Sequence, residues 1–195
     1  SVVPALTGRV LGALQMFCSA RFLTVGPGLK SGIKLRLDNP AQLGAELLCG
    51  AVAALEEGPG PLAVISADTA ISIMAVNGKQ ELVGGVILPG PQLSLSALVQ
   101  KTAQLPQIDL SAPASSSILG KNTSACLQNG FVLGTAGLLD GLAERFQAEL
   151  GPDIRFYATG NLPRTIREAC RTPIEYREYL ITDGLYRIWQ KNRKG

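Results

Sequence analysis

Residues 62–90 read LAVISADTAISIMAVNGKQELVGGVILPG, and this stretch decides the fold. Leu62–Ile65 is a short apolar run directly after a glycine-proline break, which marks a buried strand. Ile71–Val76 and Gln80–Ile87 are two further apolar runs, and Asn77-Gly78 stands between them. That dipeptide is the strongest short-range hairpin signal, because a type I′ turn needs positive φ at both central residues. Three successive strands are therefore predicted, the last two a hairpin, with Asp68-Thr69 in the turn between the first and second.

Outward from this stretch, helices and strands alternate. Upstream, a helix over Leu6–Phe17 and a strand over Arg21–Val25 precede the breaker Gly26-Pro27-Gly28. Asn39 caps and Pro40 opens a helix over Ala41–Leu55, apolar at Leu43, Leu47, Leu48 and Val52. Gly58-Pro59-Gly60-Pro61 then breaks regular structure and is the candidate domain boundary. Downstream come a helix over Leu93–Ala103, one long helix or a pair over Asn122–Leu150, and a strand over Ile154–Ala158. Helices near Pro163–Cys170 and Asp183–Asn192 close the chain, which is α/β by this reading.

Composition narrows the function. With 46% hydrophobic and 17% charged residues among 195, the chain folds and buries an ordinary core. Aromatics at 5% are too few to build a stacking platform for single-stranded nucleic acid. Histidine is absent, which removes Ser-His-Asp and Cys-His nucleophile arrangements and the two-histidine metalloprotease helix. Cys18, Cys49, Cys126 and Cys170 lie far apart and read as buried thiols in a reducing, cytoplasmic setting. The longest apolar stretch, Leu43–Leu55, is interrupted by Glu46 and shorter than the roughly 18 residues of a spanning helix, so no membrane partner is expected. Arg187, Lys191, Arg193 and Lys194 read as a solvated helix end, not a nucleic-acid patch, in a chain of net charge +3. Ser1 in place of Met reads as a processed or trimmed start.

Several short motifs need testing. Gly26–Gly32 lacks the glycine that a Walker loop places before its lysine, and Gly120-Lys121-Asn122-Thr123 lacks the hydroxyl directly after it. Lys121 reads as a surface cation, and Thr123 as either a helix cap or a ligand hydroxyl. Asp68-Thr69 is either a capped turn or a carboxylate and hydroxyl placed for a metal-bound phosphate. Gly130, Gly134, Gly137 and Gly141 recur at spacings of four, three and four, on one helix stripe. Each costs about 1 kcal/mol against alanine, so another backbone must approach closely along that face. It belongs either to this chain or to the matching helix of a second subunit.

In their order, these segments resemble the type III pantothenate kinases. The resemblance rests on Asn39-Pro40 with Leu43-Gly44, Val64–Ala70, Gly84-Gly85-Val86-Ile87-Leu88-Pro89-Gly90 and Thr102-Ala103-Gln104-Leu105-Pro106. It continues through Gly120–Thr123, Asn129-Gly130, Thr159-Gly160 and Asp183-Gly184-Leu185, essentially from Ser1-Val2-Val3-Pro4 to the end. It implies the acetate and sugar kinase/actin-like, or ribonuclease H-like, fold of two α/β domains, with nucleotide between them. On that frame residues 1–59 are the remainder of an incomplete first domain, and residues 60–195 a full second domain carrying a dimerisation helix. The implied activity is ATP-dependent phosphorylation of pantothenate, opening coenzyme A synthesis, in a dimer that uses Mg and a monovalent cation.

The resemblance also assigns residues. Glu46 stands at the general-base position, beside Gly44 in the substrate motif Gly-x-Asp-Arg, here Gly44-Ala45-Glu46-Leu47. Leu47 cannot replace the guanidinium. In place of the family's Asp-x-Gly-Thr-Ala stands Ser66-Ala67-Asp68-Thr69-Ala70. Ser66 takes the cation-ligand position, and Asp68 and Thr69 the phosphate turn, with Asp68 where glycine lets phosphate approach. Thr159 and Gly160 fall on the adenosine side, followed by Asn161 where the family has glycine. Thr123 is implied to reach the pantothenate pocket of the opposite protomer. The glycines at 130, 134, 137 and 141 fall at the dimer interface. Nothing in the chain matches the strand Asp-x-Gly-Asn-Thr with which family members begin. The expectation is a degenerate subunit, inactive alone and completed by a homologous chain or segment; a scaffold that lost ligand binding is the alternative.

Overall fold

The computed structural model describes residues 4–26, 28–114 and 117–193. The readings that involve Ser1, Val2, Val3, Pro27 and Lys194 lie outside the described residues. In chain order the elements are α1 (Pro4–Phe17), β1 (Lys34–Leu35), α2 (Ala45–Glu56), β2 (Leu62–Ala67), β3 (Ala70–Val76) and β4 (Glu81–Pro89). They continue with α3 (Pro91–Gln100), α4 (Thr123–Leu150), β5 (Arg155–Gly160), α5 (Arg164–Ala169), β6 (Ile174–Tyr176) and α6 (Leu180–Asn192).

All six strands form one sheet in the order β1-β4-β3-β2-β5-β6. β2, β3 and β4 are the antiparallel meander expected from the deciding stretch, while β5 runs parallel to β2 and β6 parallel to β5. Lys34 and Leu35 precede the Gly58–Pro61 break yet pair with Glu81 and Leu82 in the same sheet. Every residue of β2 is buried, as a central strand covered on both faces requires. Alternation divides its neighbours into two cores. Leu62, Val64, Met74, Val76 and Tyr157 pack on α2 and α6. Ala63, Ile65, Ile71, Ile73 and Phe156 pack on α4 and α5.

Small residues set the helix distances. Gly184 of α6 meets α2 so closely that an added Cβ would collide with the carbonyl of Cys49. Gly85 likewise lies against the Ile73 carbonyl, beside a register shift at Ala75/Val76 that leaves Gly84 at φ +141°.

The structure corrects several local expectations. Arg21–Val25 is not a strand. Asn39 caps only a 3₁₀ turn, Pro40–Gln42, and α2 begins after it at Ala45. The hairpin forms, but not through a type I′ turn: Gly78 has no positive φ, and Gln80 occupies the left-handed region at φ 58°. Asn77 decides this, because its Oδ1 accepts from the amides of Lys79 (2.9 Å) and Glu81 (3.0 Å) and so winds a longer turn. Residues 123–150 are one helix, not two. Of the four thiols only Cys49 is fully buried; Cys18 and Cys126 are exposed.

Candidate active site

The expected site residues come from distant segments, and β-pairing brings one group of them together. Ser66 lies opposite Thr159, and Ala67 opposite Gly160, at the carboxyl ends of parallel β2 and β5. The carboxyl ends of parallel strands are where open α/β sheets bind ligands. The exposed Asp68-Thr69 turn crosses this end, closed by the Asp68 amide donating to the Ala70 carbonyl (2.9 Å). Gly90, which opens α3, donates its amide to the Thr69 carbonyl (2.9 Å), and a Cβ there would strike the Asp68 carbonyl. That contact explains the last glycine of Gly-Gly-x-Ile-x-Pro-Gly.

Side chains tie the two loops. Asn161 Nδ2 donates to Asp68 Oδ1 at 3.0 Å, so the two residues that stand where the family pattern has glycine touch each other. Thr159 is buried, and its hydroxyl donates to the Glu178 carbonyl (3.4 Å); what this segment offers a ligand is backbone. Ser66 is also buried.

Gly44 and Glu46 reach the same end of the sheet from one face. The C-terminal end of α2 is held to the start of β5, where the Arg155 guanidinium donates to the carbonyls of Glu57, Gly58 and Pro59. α2 therefore runs antiparallel to β2, and its N-terminus lies towards the Asp68 end. Glu46 is exposed in the first helical turn, where a carboxylate complements the macrodipole. Two adjoining cavities flank this terminus. One of about 760 Å³ is lined by Gly44 together with Asn39, Leu43 and Ser31. The other, of about 400 Å³, is lined by Glu46 with Val10, Leu23 and Leu185. Glu46 and Gly44 thus face different cavities, and neither Asp68 nor Gly160 lines either one. Leu47, which the resemblance sets at an arginine position, points into the core at 7% exposure.

The N-termini of α2 and α3 lie at this end, and neither carries a side-chain cap. Their first-turn amides and two macrodipoles favour an anion there. Asp68 supplies a single carboxylate, which suits a Mg ion carried mostly by phosphate oxygens. For a monovalent cation the fit is poor, since Ser66 contributes one neutral, buried oxygen. Among the described residues, no group of three or more His, Cys, Asp or Glu could hold a metal ion.

Thr123 is the first residue of α4. Asn122 is the cap of α4, accepting from the Ala125 amide at 2.9 Å, which removes the capping role from Thr123 and leaves it exposed. Its backbone stands nine residues, about 13 Å, before Val132, the first α4 residue in the core that holds Ile65 and Phe156. The glycine stripe is open as well: a Cβ at Gly130, Gly134, Gly137 or Gly141 would meet nothing within 4 Å. The approaching backbone is therefore not one of this chain's described segments. Sequence reasoning missed Tyr176 and Arg167, which brace Gly160; only the short β-prone run Ile174–Tyr176 could have signalled them.

This combination of a mixed six-stranded sheet and flanking helices is an α/β fold of the acetate and sugar kinase/actin-like class. The family model for type III pantothenate kinase matches residues 1–145. A type III pantothenate kinase of Koribacter versatilis is 36% identical over 99% of this chain and 70% of its own length. One from Dehalococcoides mccartyi is 38% identical over 99% and 73%. The chain belongs to the type III pantothenate kinase family. A solved structure from Campylobacter jejuni, described as a conserved protein of the Baf transcriptional-activator family, superposes with a TM-score of 0.61 at 19% identity. It covers 100% of this chain and 81% of that one, a likeness of fold.

Proposed function

We propose that the chain is one part of an ATP-dependent pantothenate kinase, completed by a homologous subunit or a further segment and inactive without it. The observation that carries this reading is the gathering of Ser66, Asp68, Thr69, Thr159 and Gly160 at the carboxyl ends of β2 and β5, with the uncapped N-termini of α2 and α3 beside them. In this reading ATP lays its phosphates along the Asp68-Thr69 turn and its adenosine along Thr159-Gly160, with Ser66 behind the turn. Pantothenate occupies the two cavities beside Gly44 and Glu46, which adjoin at Ala45, and Glu46 accepts the proton of the attacking hydroxyl. Asp68, together with the nucleotide's own phosphates, would hold a Mg ion, which would neutralise phosphate charge there. Thr123 and the stripe from Gly130 to Gly141 face a partner protomer, Thr123 reaching its pantothenate pocket. Residues 1–59 supply the pantothenate side of the site, and residues 60–195, the second domain, supply the nucleotide side.

A specific pair of observations favours a second reading, a scaffold that no longer catalyses. Leu47 is buried where a guanidinium would meet substrate, and Asp68 puts a negative charge where phosphate must approach. Mass spectrometry of the native complex, with pantothenate phosphorylation assayed on the same sample, separates the two. A copurifying homologous chain with activity that depends on it supports the kinase assembly; a lone inactive homodimer leaves the scaffold.

A further inference from the structure

We infer that Tyr176 and Arg167 are positioning residues that fix the Gly160 carbonyl, and with it the backbone surface on which nucleotide rests; this rests on the kinase reading above. Gly160 has φ +82°, a conformation glycine enters and leaves freely, so the residue does not hold the loop by itself. Its neighbourhood does. Tyr176 Oη donates to the Gly160 carbonyl at 2.8 Å. On the other side of the same peptide, the Asn161 amide donates to the Ala67 carbonyl. Turning the Gly160–Asn161 peptide would break both bonds at once.

Arg167 completes the brace. Its guanidinium carbon lies 3.9 Å from the centroid of the Tyr176 ring, a close cation–π stack. Its Nε is buried without a hydrogen-bond partner, and it makes no ion pair among the described residues. An unpaired buried donor is costly, so the arginine is held there by the ring and in turn limits the ring's movement. Neither side chain is placed on substrate. Both act through the Gly160 carbonyl.

The test is calorimetric titration of Mg-ATP into the native assembly, with amide exchange at Asn161 as a second readout. Tyr176→Phe keeps the stack and loses the bond, and is expected to raise the ATP Kd about fivefold, the weight of one hydrogen bond, while pantothenate affinity stays unchanged. Arg167→Met is expected to raise the ATP Kd about twofold alone and to add nothing in the Tyr176→Phe background, because it acts through that ring. Both variants should speed Asn161 exchange. If Tyr176→Phe does not fold, Arg167→Met read by Asn161 exchange carries the test. Unchanged ATP affinity and exchange in variants of an ATP-binding wild type would overturn the proposal and leave the kinase reading standing. A wild-type assembly that binds no ATP would overturn both.

Discussion

Asp140 shows how a single residue holds the second half of the chain together. It is buried on α4 and accepts from the amides of Arg171 (3.0 Å) and Thr172 (2.9 Å) and from Arg171 Nε (3.3 Å). Burial pushes its carboxyl up, but these donors, led by the Thr172 and Arg171 amides, outweigh it and hold the group below its ordinary 3.8. A carboxyl whose native value is depressed stabilises the fold above its unfolded value and loses that contribution as pH falls through the native one. The loss is therefore expected below about pH 4, as an acid limb in thermal melts. Asp140→Asn should flatten that limb and, at neutral pH, cost about 1–3 kcal/mol in urea unfolding, since one amide then faces an amide donor. Leu47 makes the opposite point. Restoring the family's arginine by Leu47→Arg places a cation in a sealed core, and should cost about 3 kcal/mol or more in the same assay without restoring substrate binding.

Among elements, the contact between α2 and α6 is decided by Gly184. Its Cβ would collide with the Cys49 carbonyl, and neither backbone can yield without separating the helices from β2. Gly184→Ala should cost about 1–3 kcal/mol, although alanine is the better helix former by about 1 kcal/mol. Thermal unfolding of the variant checks the sign: propensity alone predicts a gain, packing a loss. Much of this layer was legible beforehand. β2, β3 and β4 followed from apolar runs and Asn77-Gly78, and the helical character of residues 122–150 was legible too, although whether it formed one helix or two was left open. Three elements resisted for physical reasons. β1 and β6 are two and three residues long, too short for any periodicity to register. Arg21–Val25 has strand-forming residues but pairs with no strand, and without a ladder apolar content does not make a strand.

At the scale of the whole molecule, the open stripe of α4 separates fold from assembly. Nothing described in the chain approaches Gly130, Gly134, Gly137 or Gly141, so Gly134→Ala with Gly137→Ala relieves about 1 kcal/mol of helix cost at each position. The isolated chain should melt higher. If the stripe seats a second helix backbone, the same substitutions should weaken subunit association. Sedimentation and melting on one sample check both signs. A rise in melting temperature with association unchanged would place the partner elsewhere.

The sequence by itself determined the α/β class, the order of the main elements and the family, because apolar period, turn residues and motif order are local or linear properties. Through the family resemblance it also named the segments that carry Asp68, Thr159 and Gly44. Only the tertiary structure decided which of these meet. Parallel pairing of β2 with β5 sets Ser66 beside Thr159, and lets Asp68 bond Asn161 across 93 positions. It left Thr123 exposed at the head of α4, because this helix is longer than the sheet it covers and joins the core beneath β2 and β5 only from Val132. Register and helix overhang follow from how faces pack on one another, which no single segment encodes.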